Sequence, residues 1–259
     1  MVSASSGGKM QLPYPCSIRE FMNSTSLFVL ATTAALALPA AASAQIRRYP
    51  LESTSALRLH NVVAEPAVLH GKKGLRVTMS EEARRQLQAM TPEEQARMEQ
   101  LVVIEGLEFA NGIIEVEVAG EPAPGAGSGA RGFVGIAFRV QPDMQTYDGF
   151  YLRPTNGRAE DQERRNHSAQ YISHPDWPWF RLRRETPSKY ESYVDLEPGV
   201  WTKIEISVRG NRARLHVHDQ EHPTLIVNDV KSGVAAKGGI ALWLGPGTVA
   251  HFRSLVVEP

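Results

Sequence analysis

The chain has 259 residues, 42% of them hydrophobic and 22% charged, with 28 basic against 28 acidic side chains. That composition belongs to an ordinary globular protein, long enough for one large or two small domains. A net charge of zero gives no reason to expect nucleic acid or an anionic membrane surface as partner.

The N-terminal part reads as a targeting segment. Leu27 to Leu38 is an apolar run typical of a signal sequence and too short to span a bilayer. Pro39 breaks it, and Ala42-Ser43-Ala44 offers the small residues a signal peptidase needs. Residues 1–44 are therefore expected to be a signal peptide cut before Gln45, leaving an exported chain in the periplasm or outside the cell. The start codon could be Met1, Met10 or Met22. Cys16 is the single cysteine and falls in the leader, so the mature chain is expected to carry neither a disulfide nor a thiol nucleophile.

Beyond the leader the periodicity is mostly two. Leu57 to Val63 and Gly74 to Met79 read as strands around a turn region at Pro66 and Gly71. The pattern then changes. Ser80-Glu81-Glu82 is a helix cap with an acidic first turn, and Thr91-Pro92-Glu93-Glu94 has the form of a capping box with proline at the first helical position. Residues 80–100 are expected to be a short helical insertion. Strands resume at Leu101 to Ile104 and Gly112 to Val118, and a loop free of large apolar residues covers Glu121 to Arg131.

Two neighbouring runs come next, Gly132 to Val140 and Tyr147 to Pro154. Val134, Ile136, Phe138 and Val140, then Phe150 and Leu152, are predicted to face a core. Gly135, Ala137 and Arg139, then Tyr151 and Arg153, are predicted to share the opposite face. After a polar stretch, Thr155 to His167, a strand over Ser168 to Ile172 leads into an aromatic loop, His174 to Phe180, with Trp177 and Trp179 flanking Pro178. Trp201 to Val208 alternates Ile204, Ile206 and Val208 inward, and Gly210-Asn211 forms the centre of a hairpin turn. Thr224 to Val227, Gly239 to Leu244 and Val249 to Val257 complete the chain. More than ten short strands separated by turns predict an all-β sandwich or jelly roll over residues 45–259.

From Phe109 onward the chain resembles the laminin-G-like branch of the concanavalin A-like jelly rolls, and in particular bacterial exported proteins of the 3-keto-disaccharide hydrolase-like type. The resemblance rests on Phe109-Ala110-Asn111-Gly112-Ile113-Ile114-Glu115-Val116, Phe133 to Arg139, Phe150 to Pro154, Gly199 to Ile204, Arg212 to Val217 and Ala250-His251-Phe252. It implies two packed antiparallel sheets with a concave face that binds carbohydrate, and a glycoside-cleaving activity in some relatives. The E-x-D-x-x-E strand of family 16 glycosidases is missing. Glu115 and Glu117 stand at i and i+2 without a third acid, so no catalytic residue is carried over.

Several side chains have both a functional and a structural reading. Arg139, Tyr151 and Arg153 could grip sugar hydroxyls or a carboxylate, or form an outer face paired with acids across strands. Trp177 and Trp179 could be platforms for a pyranose ring, or a satellite core. Asp176 could be a general acid but reads better as a turn former. His216 and His218, at i and i+2, have metal-ligand spacing, yet Arg214 beside them argues against a metal, and none is expected. Glu191 is the acid to test first in an enzyme, and otherwise a cross-strand partner for an arginine. Arg181, Arg183 and Arg184 could hold an acidic sugar or make a solvated edge. No motif calls for a cofactor. The reading with most support is an exported carbohydrate-binding or interaction module, with glycan as partner, contacting it through Arg139, Tyr151, Arg153, Trp177 and Trp179. A glycoside-cleaving hydrolase and a structural envelope protein are the alternatives.

Overall fold

A computed structural model describes residues 45–95 and 97–259. The expected leader, its cysteine and the cleavage point lie outside these residues. The described strands are β1 (Arg47–Tyr49), β2 (Leu57–His60), β3 (Val62–Leu69), β4 (Lys72–Met79), β5 (Leu101–Ile104), β6 (Gly112–Pro122), β7 (Val134–Val140), β8 (Tyr147–Leu152), β9 (Ala169–His174), β10 (Glu191–Ser192), β11 (Thr202–Arg209), β12 (Arg212–Val217), β13 (Leu225–Val227), β14 (Gly239–Leu244) and β15 (Thr248–Glu258). They pair antiparallel into two sheets. One has the order β13-β12-β11-β6-β15-β4-β3, with β1 added along β15; the other has the order β10-β9-β8-β7-β14-β5-β2. This is an all-β jelly-roll sandwich.

Alternation explains why the sheets stack. Ile204, Ile206 and Val208 of β11, Val116 and Val118 of β6, and Leu215 of β12 meet Ile136, Phe138, Phe150 and Ile240 from the other sheet in one buried core. The β11–β12 hairpin turns at Gly210-Asn211 with Arg209 opposite Arg212, and Gly210 takes the left-handed conformation, φ 59°, which such two-residue turns require.

The helical insertion is α1 (Glu81–Ala89) followed by α2 (Pro92–Gln95). The Ser80 hydroxyl accepts from the Ala83 amide at 3.1 Å. The Thr91 amide donates to Glu94 at 2.8 Å while the Glu94 amide reaches back to the Thr91 hydroxyl at 3.4 Å. These are the reciprocal bonds of a capping box.

Four local expectations need correction. Pro66 is not in a turn: it lies inside β3, which runs to Leu69 at the edge of its sheet, where a missing amide donor costs no ladder bond. The polar stretch after β8 contains a 3₁₀ turn, Pro154–Asn156, and α3 (Gln162–Asn166) capped by Asp161. The aromatic loop is cut short because Trp179 opens α4 (Trp179–Glu185). The fourth correction concerns β7. Gly239 pairs with Val140 but Ile240 pairs with Phe138, so Arg139 is an extra residue in the ladder, with φ 56°. A bulge of this kind reverses the alternation beyond it. Val140 therefore leaves the inward series and joins Leu101, Val103 and Tyr147 on the second face.

The bulge aims Arg139 away from the face it was expected to share with Tyr151. The side chain is 1% exposed. Its Nε and Nη2 donate to the Ala110 carbonyl at 3.0 and 2.8 Å, Nη2 also to the Gly210 carbonyl at 2.8 Å, and Nη1 to Ser232 Oγ and the Gly233 carbonyl, both at 3.0 Å. Ala110 precedes β6 and Gly210 is in the β11–β12 turn, so one guanidinium ties β7 to the opposite sheet. Arg139→Met is expected to cost about 3 kcal/mol, because it leaves several buried carbonyls without donors; urea unfolding followed by circular dichroism measures it, and an unchanged midpoint would refute the tie.

Candidate functional site

The second face of the seven-stranded sheet, the one turned from the core, is built by register. Leu101, Trp243, Gly135, Tyr151, Gln170 and Glu191 stand side by side across β5, β14, β7, β8, β9 and β10. Gly135 and Ala137 leave room there, as the alternation implied. That room is used by the protein itself. A Cβ at Gly135 would lie 2.1 Å from the Phe150 carbonyl oxygen, and over this glycine the rings of Tyr151 and Trp243 stack with centroids 4.6 Å apart. Phe133 meets Tyr151 edge-on at 6.0 Å.

At one end of the row, Arg153 and Glu191 form a buried polar group. Arg153 Nη2 donates to Tyr151 Oη at 2.7 Å and to Gln170 Oε1 at 3.1 Å, and Nη1 donates to the His167 carbonyl at 2.8 Å and to Glu191 at 3.4 Å. Arg183 of α4 holds the same carboxylate with two donors, Nε to Oε2 at 3.0 Å and Nη2 to Oε1. Such a fork is the strongest geometry available to an arginine–carboxylate pair, and it clamps α4 onto the sheet. His167 Nδ1 lies 3.0 Å from Glu191 Oε2 but outside hydrogen-bonding geometry, and neither ring nitrogen has a partner among the described residues. Burial lowers the His167 pKa below the ordinary histidine value, against the opposing pull of Glu191. The Tyr151 phenol is raised above its ordinary range by burial. Glu191 is thus the arginine partner of its structural reading, with both oxygens taken.

Trp179 begins α4 and is 40% exposed. The Arg183 guanidinium lies 4.8 Å from its ring centroid and that of Arg153 5.9 Å away. Tyr151, Arg153 and Trp179 therefore come together, while Arg139 does not join them. Trp177 is separate: it packs partly against the core, and its ring carries the Arg181 guanidinium at 3.9 Å and the Lys231 ammonium at 4.7 Å. The two histidines do not form a pair. His216 is in β12 with Nδ1 3.0 Å from the Gln220 carbonyl, whereas His218 lies past the strand end with φ 60° and Nε2 2.7 Å from the Asp195 carbonyl.

A second polar group was not legible in the sequence. Glu99, the residue but one before β5, is 5% exposed. Its carboxylate accepts from Tyr147 Oη and from His174 Nδ1. Tyr147 Oη in turn accepts from Trp243 Nε1 at 2.8 Å, and the Tyr147 and His174 rings stack at 5.1 Å. Burial and the Glu99 charge raise the Tyr147 phenol well above its ordinary range, so it remains a donor. The alternation of β5, if continued backwards from Val103 and Leu101, was the one signal that could have placed Glu99 on this face. Tyr147 and His174 border a cleft of about 640 Å³ that Trp177, Asp176, Lys231 and Ser232 also line.

Comparison with known proteins bears on the fold. No family model matches the chain, and no curated protein matches it. Among solved structures, a protein of unknown function with a galectin-like fold from Bacillus subtilis is 13% identical, covers 82% of this chain and 94% of its own, and has a TM-score of 0.50. The cellulose-induced protein Cip1 is 8% identical over 81% of this chain and 96% of its own, at a TM-score of 0.49. A carbohydrate-binding module, CBM66 from Bacillus subtilis, is 9% identical over 78% and 98%, at 0.47. Among the described residues, no helix is long and apolar enough to cross a membrane.

Beside the cleft, Asp229 accepts from Lys189 Nζ at 2.8 Å, Tyr190 Oη at 2.6 Å and Lys231 Nζ at 2.9 Å. Although burial pulls the other way, these donors hold its carboxyl down to about 2. A lowered carboxyl stabilises the fold above its unfolded value and loses that contribution as pH falls through the folded one. Wild-type stability is expected to drop between pH 4 and pH 2, and Asp229→Asn to flatten that part of the profile. Chemical denaturation across the interval tests this; identical slopes would rule it out.

Proposed function

We propose that this chain is an exported carbohydrate-binding module whose contact surface is the Trp179 end of the second face. The observation that carries the reading is Trp179 itself, exposed at the head of α4 and set beside the clamped pair Arg153 and Arg183. An indole held flat by its surroundings offers a face to the C–H side of a pyranose at little entropic cost. Tyr151 and Arg153 support the platform from beneath: they are 3% and 5% exposed, and Arg153 already bonds Tyr151, Gln170 and Glu191. The resemblance to laminin-G-like jelly rolls agrees with a glycan ligand.

Glycoside cleavage is less well supported. It normally requires two carboxyl groups facing the scissile bond, one free to give a proton and one to act as nucleophile or base. The two buried acids of this face are both engaged, Glu191 by Arg153 and Arg183 and Glu99 by Tyr147 and His174.

Calorimetry against cello-, xylo- and chito-oligosaccharides should detect binding, quench or shift the tryptophan emission, and lose roughly tenfold in affinity, about 1.4 kcal/mol, in Trp179→Ala. Binding undiminished in that variant would remove Trp179 from the site. Export rests on the apolar run ending at Leu38 and the Ala42-Ser43-Ala44 sequence. N-terminal sequencing of protein recovered outside the cytoplasm is expected to begin at Gln45; a chain retaining its first residues would refute cleavage there.

A further inference from the structure

The cleft at the other end of the face has a use that sugar binding at Trp179 does not absorb. His174 lines it. Glu99 accepts a hydrogen bond from Nδ1, which fixes the proton on that nitrogen and leaves the lone pair on Nε2. Nε2 has no hydrogen-bond partner among the described residues. The dyad is held rigidly. Tyr147 stacks on the imidazole at 5.1 Å and donates to the same carboxylate, and Trp243 Nε1 fixes Tyr147 from behind at 2.8 Å. A carboxylate that orients an imidazole and stabilises its protonated form is the arrangement of a general base. Lys231 and Lys237 line the same cleft with Asp176, each ammonium already paired with a carboxylate, that of Asp229 and of Glu108.

We propose that Glu99 and His174 form a general-base dyad, and that the cleft hydrolyses an acyl ester carried on a carbohydrate. The choice of ester follows from the number of proton-transfer groups. A glycosidic bond needs an acid and a base on opposite sides of the sugar, whereas one imidazole can take and return the proton in ester cleavage. Water loses a proton to His174 Nε2 as its oxygen adds to the acyl carbon, and the carbonyl electron pair moves onto oxygen. On collapse the bond from the acyl carbon to the sugar oxygen breaks. Its electron pair leaves with that oxygen, which takes the proton back from Nε2. The products are a free carboxylic acid and the sugar hydroxyl, with water as the sole co-reactant. Glu99 acts here as a positioning residue. The carbohydrate half of the proposal rests on the binding function argued above.

The test uses the full chain with two substrates, p-nitrophenyl acetate and acetylated xylo-oligosaccharide, following nitrophenolate and acetate. Both are expected to be hydrolysed faster than by free imidazole. His174→Ala should lose at least about a hundredfold, and added imidazole should partly restore it, which separates lost chemistry from lost folding. Glu99→Gln should lower kcat with KM unchanged. Hydrolysis of the nitrophenyl ester alone would uphold the dyad and overturn the carbohydrate half. Failure to hydrolyse either ester, in protein that still binds unacetylated oligosaccharide, would overturn the dyad and leave the binding function standing. Full activity in His174→Ala would overturn it as well.

Discussion

The sandwich depends on a guanidinium that is almost wholly buried. Arg139 reaches across from a bulge in β7 to the Ala110 and Gly210 carbonyls on the opposite sheet and to Ser232 and Gly233 in the segment before β14. Asp148 is close enough to counter its charge and is itself held by Tyr171 Oη at 2.6 Å. A charge in a core is costly unless nearly every donor finds an acceptor. Here the acceptors are mostly backbone carbonyls at loop ends, which would otherwise be the unpaired groups. The same bulge sends Val140 to the second face, where it packs with Leu101, Val103 and Tyr147.

The alternating strands were legible because burial on one side of a sheet writes itself as period two. Ile204, Ile206 and Val208, the Gly210-Asn211 hairpin and the Thr91–Glu94 capping box all depend on neighbours within a few residues. What failed depends on partners far along the chain. Arg139 looks like an ordinary polar residue in an alternating run, and the bulge becomes visible only when Gly239 and Ile240 are paired with it. The α4 helix is built from Trp, Phe, Arg and Leu with no side-chain cap, and its clamp, Glu191, lies on another element. Glu99 sits between the helical insertion and β5, where only the alternation of β5 carried backwards marks a face. Of the five residues expected to contact a glycan, Tyr151, Arg153 and Trp179 come together, through Glu191 and Arg183, whose alternatives had been left open, while Arg139 and Trp177 stand apart.

The second face shows how small residues in a strand are to be read. Gly135 seemed to leave space for a ligand; it leaves space for Tyr151 and Trp243 to close over it. Polar side chains on that face are similarly occupied with one another, in two groups separated along β8 by the length from Tyr147 to Tyr151. Free surface and free lone pairs occur at the margins, on Trp179 at one end and on His174 at the other.

The outermost strands also bear on how the molecule behaves among its own copies. Each sheet ends in short or interrupted elements: two residues in β10, three in β13, four in β2, and in β3 a proline with no amide to donate. Open ladders of backbone donors and acceptors are what recruit a neighbouring chain into a continuous sheet. With little ladder on offer at three of the borders and a proline interrupting the fourth, the described sheets give a neighbouring copy few backbone groups to pair with.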